Sequence, residues 1–234
     1  MATPLLLIHG SWLGSWCWDH LIPHLKRPTY TINLPGHHDG RALQSIDFAT
    51  YILAIQDKLN EIAEPVILVG HSSAGTWISQ MAENSPSQIK KIIYLAAHMP
   101  QNGESLLDLA KQINRKCEPF FTIDSDRCAF ILIKDLIKPC LCQNISDEMY
   151  HVVQNRICPE PFIPMSSKVS LTKDNFGQMP KAYIECTQDV AVPIEAQRMM
   201  HAKTNCEVYS LDSDHCPFWS CPEDLAHILN KISD

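Results

Sequence analysis

No stretch of this sequence is apolar for long enough to cross a bilayer. The opening run Leu5-Leu6-Leu7-Ile8 is stopped by His9-Gly10, whereas a helical span needs about 20 residues. The start also lacks the basic segment and small-residue cleavage site of a secretory leader. A cytosolic chain is therefore expected, and no membrane span. Lysine and arginine never cluster, and the net charge is a mild −7. Both argue against a nucleic-acid surface. Repeats and low-complexity tracts are absent as well. The hydrophobic share of 45% is ordinary, and 234 residues suit one α/β domain with an inserted subdomain. Such a chain can bury a full core.

Metal-ligand spacing is missing too, although the chain holds ten cysteines. Cys140-Leu141-Cys142 is the only close pair, and no second pair or His-x-x-x-His follows it. Free thiols packed as small hydrophobes are expected, with no metal and no other cofactor. The sequon Asn144-Ile145-Ser146 would matter only in a secreted chain, and it reads as an unmodified surface loop.

What the chain does hold is centred on residues 66–75. Val66-Ile67-Leu68-Val69 runs straight into Gly70-His71-Ser72-Ser73-Ala74-Gly75. A buried strand, a sharp turn and a helix start would give this pattern. A serine on such a turn is lifted above the strand end, in a strained backbone conformation that tolerates only small neighbours. The usual pattern is Gly-x-Ser-x-Gly. Here Ala74 takes the last position, and Gly75 follows one place later.

Strands and helices alternate on both sides of this turn. Apolar runs at 4–10, 28–34, 91–97, 181–186 and 206–211 read as further strands. Residues 11–18 lead into a helical stretch to about Lys26. Ser45 and Asp47 open a helix carrying Tyr51, Ile52, Ile55, Leu59 and Ile62 at helical spacing. Further helices are expected from Ala74 to Glu83, Pro193 to Met200 and Pro222 to Ile232. Residues 99–178 change character. Prolines, cysteines and aromatics lie among short helical patches at Ser105–Gln112 and Asp147–Asn155, with no clear strand alternation. The expected architecture is a mostly parallel sheet of about six strands flanked by helices. Residues 1–98 and 179–234 would build this core, and 99–178 an inserted helical cap. Right-handed crossovers would gather the strand C-terminal ends, and the ligand site, at one edge.

A serine hydroxyl needs a base within hydrogen-bond reach, and histidine suits neutral pH. A carboxylate must then hold the histidine tautomer. Asp189 follows strand 181–186 and His215 follows strand 206–211, so Ser72, Asp189 and His215 occur in one workable chain order. Asp212 and Asp214 are rival acids. Asp214 adjoins His215, which makes the geometry awkward and favours a loop-shaping role. Among the other histidines, His71 is tied beside Ser72 and is a poor base. His37 and His38 lie in a loop near the same edge and are candidates to line the pocket. Two backbone amides must hold the oxyanion. Those of Ser73 and Ser11 are the candidates, and Gly10 permits close backbone approach. Trp12 is the best pocket candidate among the early tryptophans. Phe120, Phe121, Phe162 and Met165 are candidates to wall an apolar pocket.

Together these residues resemble the α/β-hydrolase superfamily over nearly the whole chain. His9-Gly10-Ser11-Trp12-Leu13-Gly14-Ser15-Trp16-Cys17-Trp18 is similar to the first loop of one branch, which holds plant methylesterases, hydroxynitrile lyases and pyrethroid-hydrolase-like carboxylesterases. The segment from Tyr183 to Asp189, and Asp214-His215 with Pro217-Phe218, resemble the acid and histidine loops of the methylesterases. The resemblance implies Ser72, Asp189 and His215 as a triad, with Ser11 and Ser73 as oxyanion donors. The lyases of this branch carry threonine after the first-loop histidine and lysine after the catalytic one. Here Gly10 and Cys216 stand there, which weakens a lyase reading. Ser72 excludes the members with an aspartate nucleophile.

The expected activity is hydrolysis of small or medium, partly apolar carboxylic esters through an acyl-enzyme. The partner is a small-molecule ester, and a homodimer is compatible with it. Thioester hydrolysis, acyl transfer, C–C cleavage and non-catalytic ligand binding stay open as alternatives. A redox or metal protein built on the cysteines is a more distant one.

Overall fold

The computed structural model describes residues 2–113 and 119–232. Its elements run β1 (Leu5–Ile8), β2 (Thr29–Ile32), α1 (Phe48–Ile62), β3 (Val66–His71), α2 (Ala74–Asn84), β4 (Ile89–Leu95), α3 (Leu106–Gln112), β5 (Phe121–Asp124) and β6 (Ala129–Leu132). They continue as α4 (Ile137–Leu141), α5 (Asp147–Arg156), β7 (Glu160–Pro161), α6 (Phe162–Ser166), β8 (Lys181–Cys186), α7 (Ile194–His201), β9 (Glu207–Leu211), α8 (Pro217–Ser220) and α9 (Pro222–Ile232).

Six of these strands form one sheet in the order β2-β1-β3-β4-β8-β9, and every neighbouring pair is parallel. The unbroken apolar runs follow from this arrangement. Successive side chains of a strand point to opposite faces, and both faces are covered. Leu6 and Ile8 of β1 pack with Leu68, Trp77 and Tyr94 on one side. Leu5 and Leu7 pack with Val69, Ile93 and Phe218 on the other. Helix α1 starts at a reciprocal cap. The Thr50 amide donates to Asp47 Oδ1 at 2.8 Å, and Asp47 N–H reaches back to Thr50 Oγ1 at 3.4 Å. Among the described residues no helix is long and apolar enough to cross a membrane. Cys117 lies outside the described residues, and the other nine cysteines are free thiols.

The segment between β4 and β8 departs from the expected all-helical insertion. It holds short helices, but also an antiparallel sheet in the order β5-β6-β7. These strands are two to four residues long, too short for a two-residue period to register in sequence. Glu160 and Pro161 pair with Phe130 and Ala129 across about 30 residues of chain, a contact that no local pattern encodes. The root of the segment is tied together by Val169 N–H to Glu104 O at 3.0 Å and Gly103 N–H to Val169 O at 2.9 Å. The helical stretch expected up to Lys26 is instead two 3₁₀ turns, Ser15–Trp18 and Ile22–His24.

Candidate active site

Parallel strands place the loops after β1, β3, β8 and β9 at one edge of the sheet. Ser72 immediately follows β3 with φ of 54°, a left-handed conformation costly for a residue with a Cβ. Backbone bonds hold it there. Ser72 N–H donates to Leu95 O at 3.1 Å, and Ser72 O accepts from His98 N–H at 2.9 Å. The small residues around it answer to measurable crowding. A Cβ on Gly75 would stand 2.0 Å from the His98 carbonyl oxygen. A Cβ on Gly10 would stand 2.8 Å from Ser72 Cβ. The close approach of β4's end to α2 therefore falls at Gly75, which is why Ala74 is tolerated one place earlier.

The structure brings Ser72, His215 and Asp189 into one line. His215 Nε2 is 2.9 Å from Ser72 Oγ, and His215 Nδ1 is 2.7 Å from Asp189 Oδ2. A carboxylate only accepts, so Nδ1 carries the proton and Nε2 is left to accept from the serine hydroxyl. Asp189 is itself held from its other side. Its Oδ1 accepts from the Ala191 and Val192 amides at 2.8 and 2.9 Å, and Oδ2 also accepts from Gln197 Nε2 at 3.2 Å. Gln197 is fully buried on α7, and no sequence motif marks its role. The rival acids are engaged elsewhere. Asp214 accepts from the Asn144 and Cys216 amides and from Ser220 Oγ. Asp212 accepts from Thr187 and Gln188 side chains. His71 donates through Nε2 to the His215 carbonyl at 2.8 Å. Burial, and then the neighbouring His215, lower its pKa well below the usual value, so it braces the loop as a neutral ring.

The loop after β1 is braced in a similar way. His9 Nε2 accepts from Leu34 N–H at 3.0 Å, and its Nδ1 lies 2.8 Å from Gly10 O. Leu34 fixes the tautomer, so Nδ1–H donates to that carbonyl. Burial lowers the pKa of His9. In a trans peptide the N–H points opposite to the C=O, so binding the Gly10 carbonyl directs the Ser11 amide away from His9. Ser11 Oγ donates to Ser73 Oγ at 2.9 Å, which ties the two candidate amide-bearing residues together. Among the described residues neither amide donates to another protein group.

Two apolar lobes meet at Ser72 and His215. The larger is walled by Phe120, Phe121, Phe130, Leu106, Met165 and Val192. The smaller is walled by Leu13, Ile137, Leu141, Cys142, Val153 and Trp219. Trp12 borders both. Phe130 is a wall residue that sequence reading did not single out. Phe162 is a correction: it packs behind Phe130, with ring centroids 5.1 Å apart, and does not line either lobe. Trp16 and Trp18 pack on Trp219 and Phe218 in the core.

His37 does not line a lobe either. It is buried in a separate polar cluster, with Nε2 2.9 Å from Glu160 Oε2. Burial alone would lower its pKa, but the Glu160 carboxylate and the hydrogen bond to it reverse this and raise it. Glu160, on β7, also accepts from Trp12 N–H at 2.9 Å and Tyr51 Oη at 3.1 Å. Trp12 has φ of 65°, a conformation that costs a bulky residue about 1–3 kcal/mol unless its surroundings impose it. Nothing in the sequence around Glu160 signals this cluster.

A six-stranded parallel sheet flanked by helices, with a serine on a strained turn after β3, defines the α/β-hydrolase architecture. Residues 5–228 match the alpha/beta hydrolase family, and the chain belongs to it. It is 31% identical over 247 residues to "Putative methylesterase 11, chloroplastic" of Arabidopsis thaliana, covering 97% of this chain and 63% of that protein. Against a second such relative, "Putative methylesterase 13, chloroplastic", it spans 55% of the relative's length. It is also 27% identical over 248 residues to the pyrethroid hydrolase of Sphingobium wenxiniae, covering all of this chain and 88% of that one. The crystal structure of polyneuridine aldehyde esterase has the same fold, with a TM-score of 0.90 at 24% identity over the full length of both chains.

Proposed function

We propose that this chain is a serine hydrolase of carboxylic esters. The observation that carries the reading is the line Asp189–His215–Ser72, 2.7 and 2.9 Å long, beside two amides with no protein acceptor among the described residues. Ser72 Oγ attacks the ester carbonyl carbon while His215 Nε2 takes its proton. The carbonyl oxygen becomes an oxyanion held by the Ser11 and Ser73 amides. Asp189 stabilises the imidazolium. His215 then protonates the leaving alcohol, and the carbonyl re-forms as an acyl-enzyme. Water, deprotonated by His215, attacks that ester in turn and frees the acid and Ser72. The two lobes flank Ser72 and His215, and their apolar walls favour partly apolar substrates. The names of the relatives, methylesterases and a pyrethroid hydrolase, support ester cleavage. Residues 99–178 act as the cap that supplies half of the residues lining the larger lobe.

The test is hydrolysis of p-nitrophenyl esters from two to twelve acyl carbons by the native chain and Ser72→Ala. A p-nitrophenol burst of one equivalent in the native protein, and a loss of at least about 10³-fold in the variant, is the expected result. Equal turnover by both proteins overturns the assignment of Ser72.

A further inference from the structure

Three polar groups of Trp12 are bound by the segment between β4 and β8. Its N–H donates to Glu160 Oε2 at 2.9 Å, its Nε1–H to Phe130 O at 3.1 Å, and its carbonyl accepts from Cys158 N–H at 3.0 Å. Of the three, only the Glu160 bond is made by a side chain to the backbone N–H that adjoins Ser11. Glu160 is 1% exposed and stands opposite three donors from three parts of the core: Trp12 after β1, His37 after β2, and Tyr51 on α1. A carboxylate is the side chain that meets three donors with acceptors alone.

From this geometry we infer that Glu160 is a positioning residue for the oxyanion hole. Its carboxylate holds the left-handed Trp12, and through it the orientation of the preceding Ser11 amide. The inference rests on the ester-hydrolase reading, in which Ser11 N–H is an oxyanion donor. It adds that the hole is completed only when β7 is seated on the core. Glu160 touches no reacting atom, and its effect is felt where charge develops on the carbonyl oxygen.

The experiment compares two inhibitors of matched shape on the native chain, Glu160→Ala and Glu160→Gln. A trifluoromethyl ketone is attacked by Ser72 Oγ. A C–O bond forms, the proton moves to His215 Nε2, and the carbonyl oxygen becomes a bound oxyanion. The corresponding methyl ketone binds without reacting. In Glu160→Ala, Ki for the trifluoromethyl ketone is expected to rise about 10–100-fold, with kcat/KM falling by a similar factor, because a misaimed donor loses much of what a removed one loses. Ki for the methyl ketone should stay within about two-fold. Glu160→Gln, whose amide oxygen still accepts from Trp12 N–H while its NH₂ donates to Tyr51 Oη, should recover most of the loss. Should the alanine variant not fold, Glu160→Asp replaces it. It keeps the charge beside His37 but falls one methylene short of Trp12, and the same selective loss is expected.

Equal trapping of the trifluoromethyl ketone by native and variant proteins overturns the inference while leaving the esterase reading intact. A parallel rise in both Ki values also overturns it, since that marks a role in shaping the cavity. A native chain that neither cleaves esters nor traps the trifluoromethyl ketone overturns both readings together.

Discussion

Asp189 illustrates how much a single side chain is constrained by what surrounds it. Its Oδ1 is committed to the Ala191 and Val192 amides, so only Oδ2 faces His215. In Asp189→Asn the amide oxygen must stay with those two donors, and the NH₂ turns toward His215 Nδ1. That selects the tautomer with a proton on Nε2, which can no longer accept from Ser72. A fall in kcat of about 10⁴-fold is expected with the fold intact, measured as ester turnover beside a circular dichroism spectrum. The order of Ser72, Asp189 and His215 was legible in the sequence because each follows an apolar strand. The anchors Gln197 and Glu160 were not, because their partners are brought up by tertiary contacts. Trp12 and Phe162 show the same divide. Trp12 adjoins a recognisable loop, whereas Phe162 is one of several aromatics in the insertion, and only packing decides which of them reaches the cavity.

At the level of elements, the long strands and helices announce themselves and the short ones do not. Helix α1 carries an apolar stripe and an acidic cap, so both its face and its start were readable. Replacing its cap, Asp47→Ala, removes the bonds that the Thr50 amide and hydroxyl donate to the Asp47 carboxylate and should cost about 1 kcal/mol. A lower urea midpoint with unchanged slope is the expected outcome. The β5-β6-β7 sheet, by contrast, lies in a stretch whose sequence shows only short helical patches. Its strands are too short for their pattern to stand out, and β7 is a two-residue strand containing a proline. Its existence follows from the approach of residues 160–161 to β6. That approach also delivers Glu160 to Trp12 in the loop after β1.

The whole molecule carries charge in its interior at a few points, and these set its response to acid. Burial would raise the carboxyl of Glu185, but hydrogen bonds from Arg198, Ser210 and His201 outweigh it and bring the group from 4.5 down to about 2. Its folded pKa is depressed, so below 4.5 the unfolded chain takes up a proton that the folded one refuses. The stability this group contributes is present above 4.5 and is lost as the pH falls toward 2. Urea midpoints measured from pH 6 to pH 3 should drop steeply in the native chain and less steeply in Glu185→Gln. Equal slopes would show that Glu185 does not set this part of the acid response.

By itself the sequence determined the parallel sheet, the helices on both its faces, the strained turn at Ser72 and the chain order of its partners. All of these are written in local terms: apolar runs long enough to form buried strands, small residues where backbones approach, and polar residues just beyond strand ends. Tertiary structure alone decided which aromatics wall the cavity, that part of the insertion is a sheet, and that Glu160 reaches Trp12 across 148 positions of chain. Those outcomes depend on contacts between segments distant in sequence, whose geometry exists only once the sheet has brought their ends to one edge.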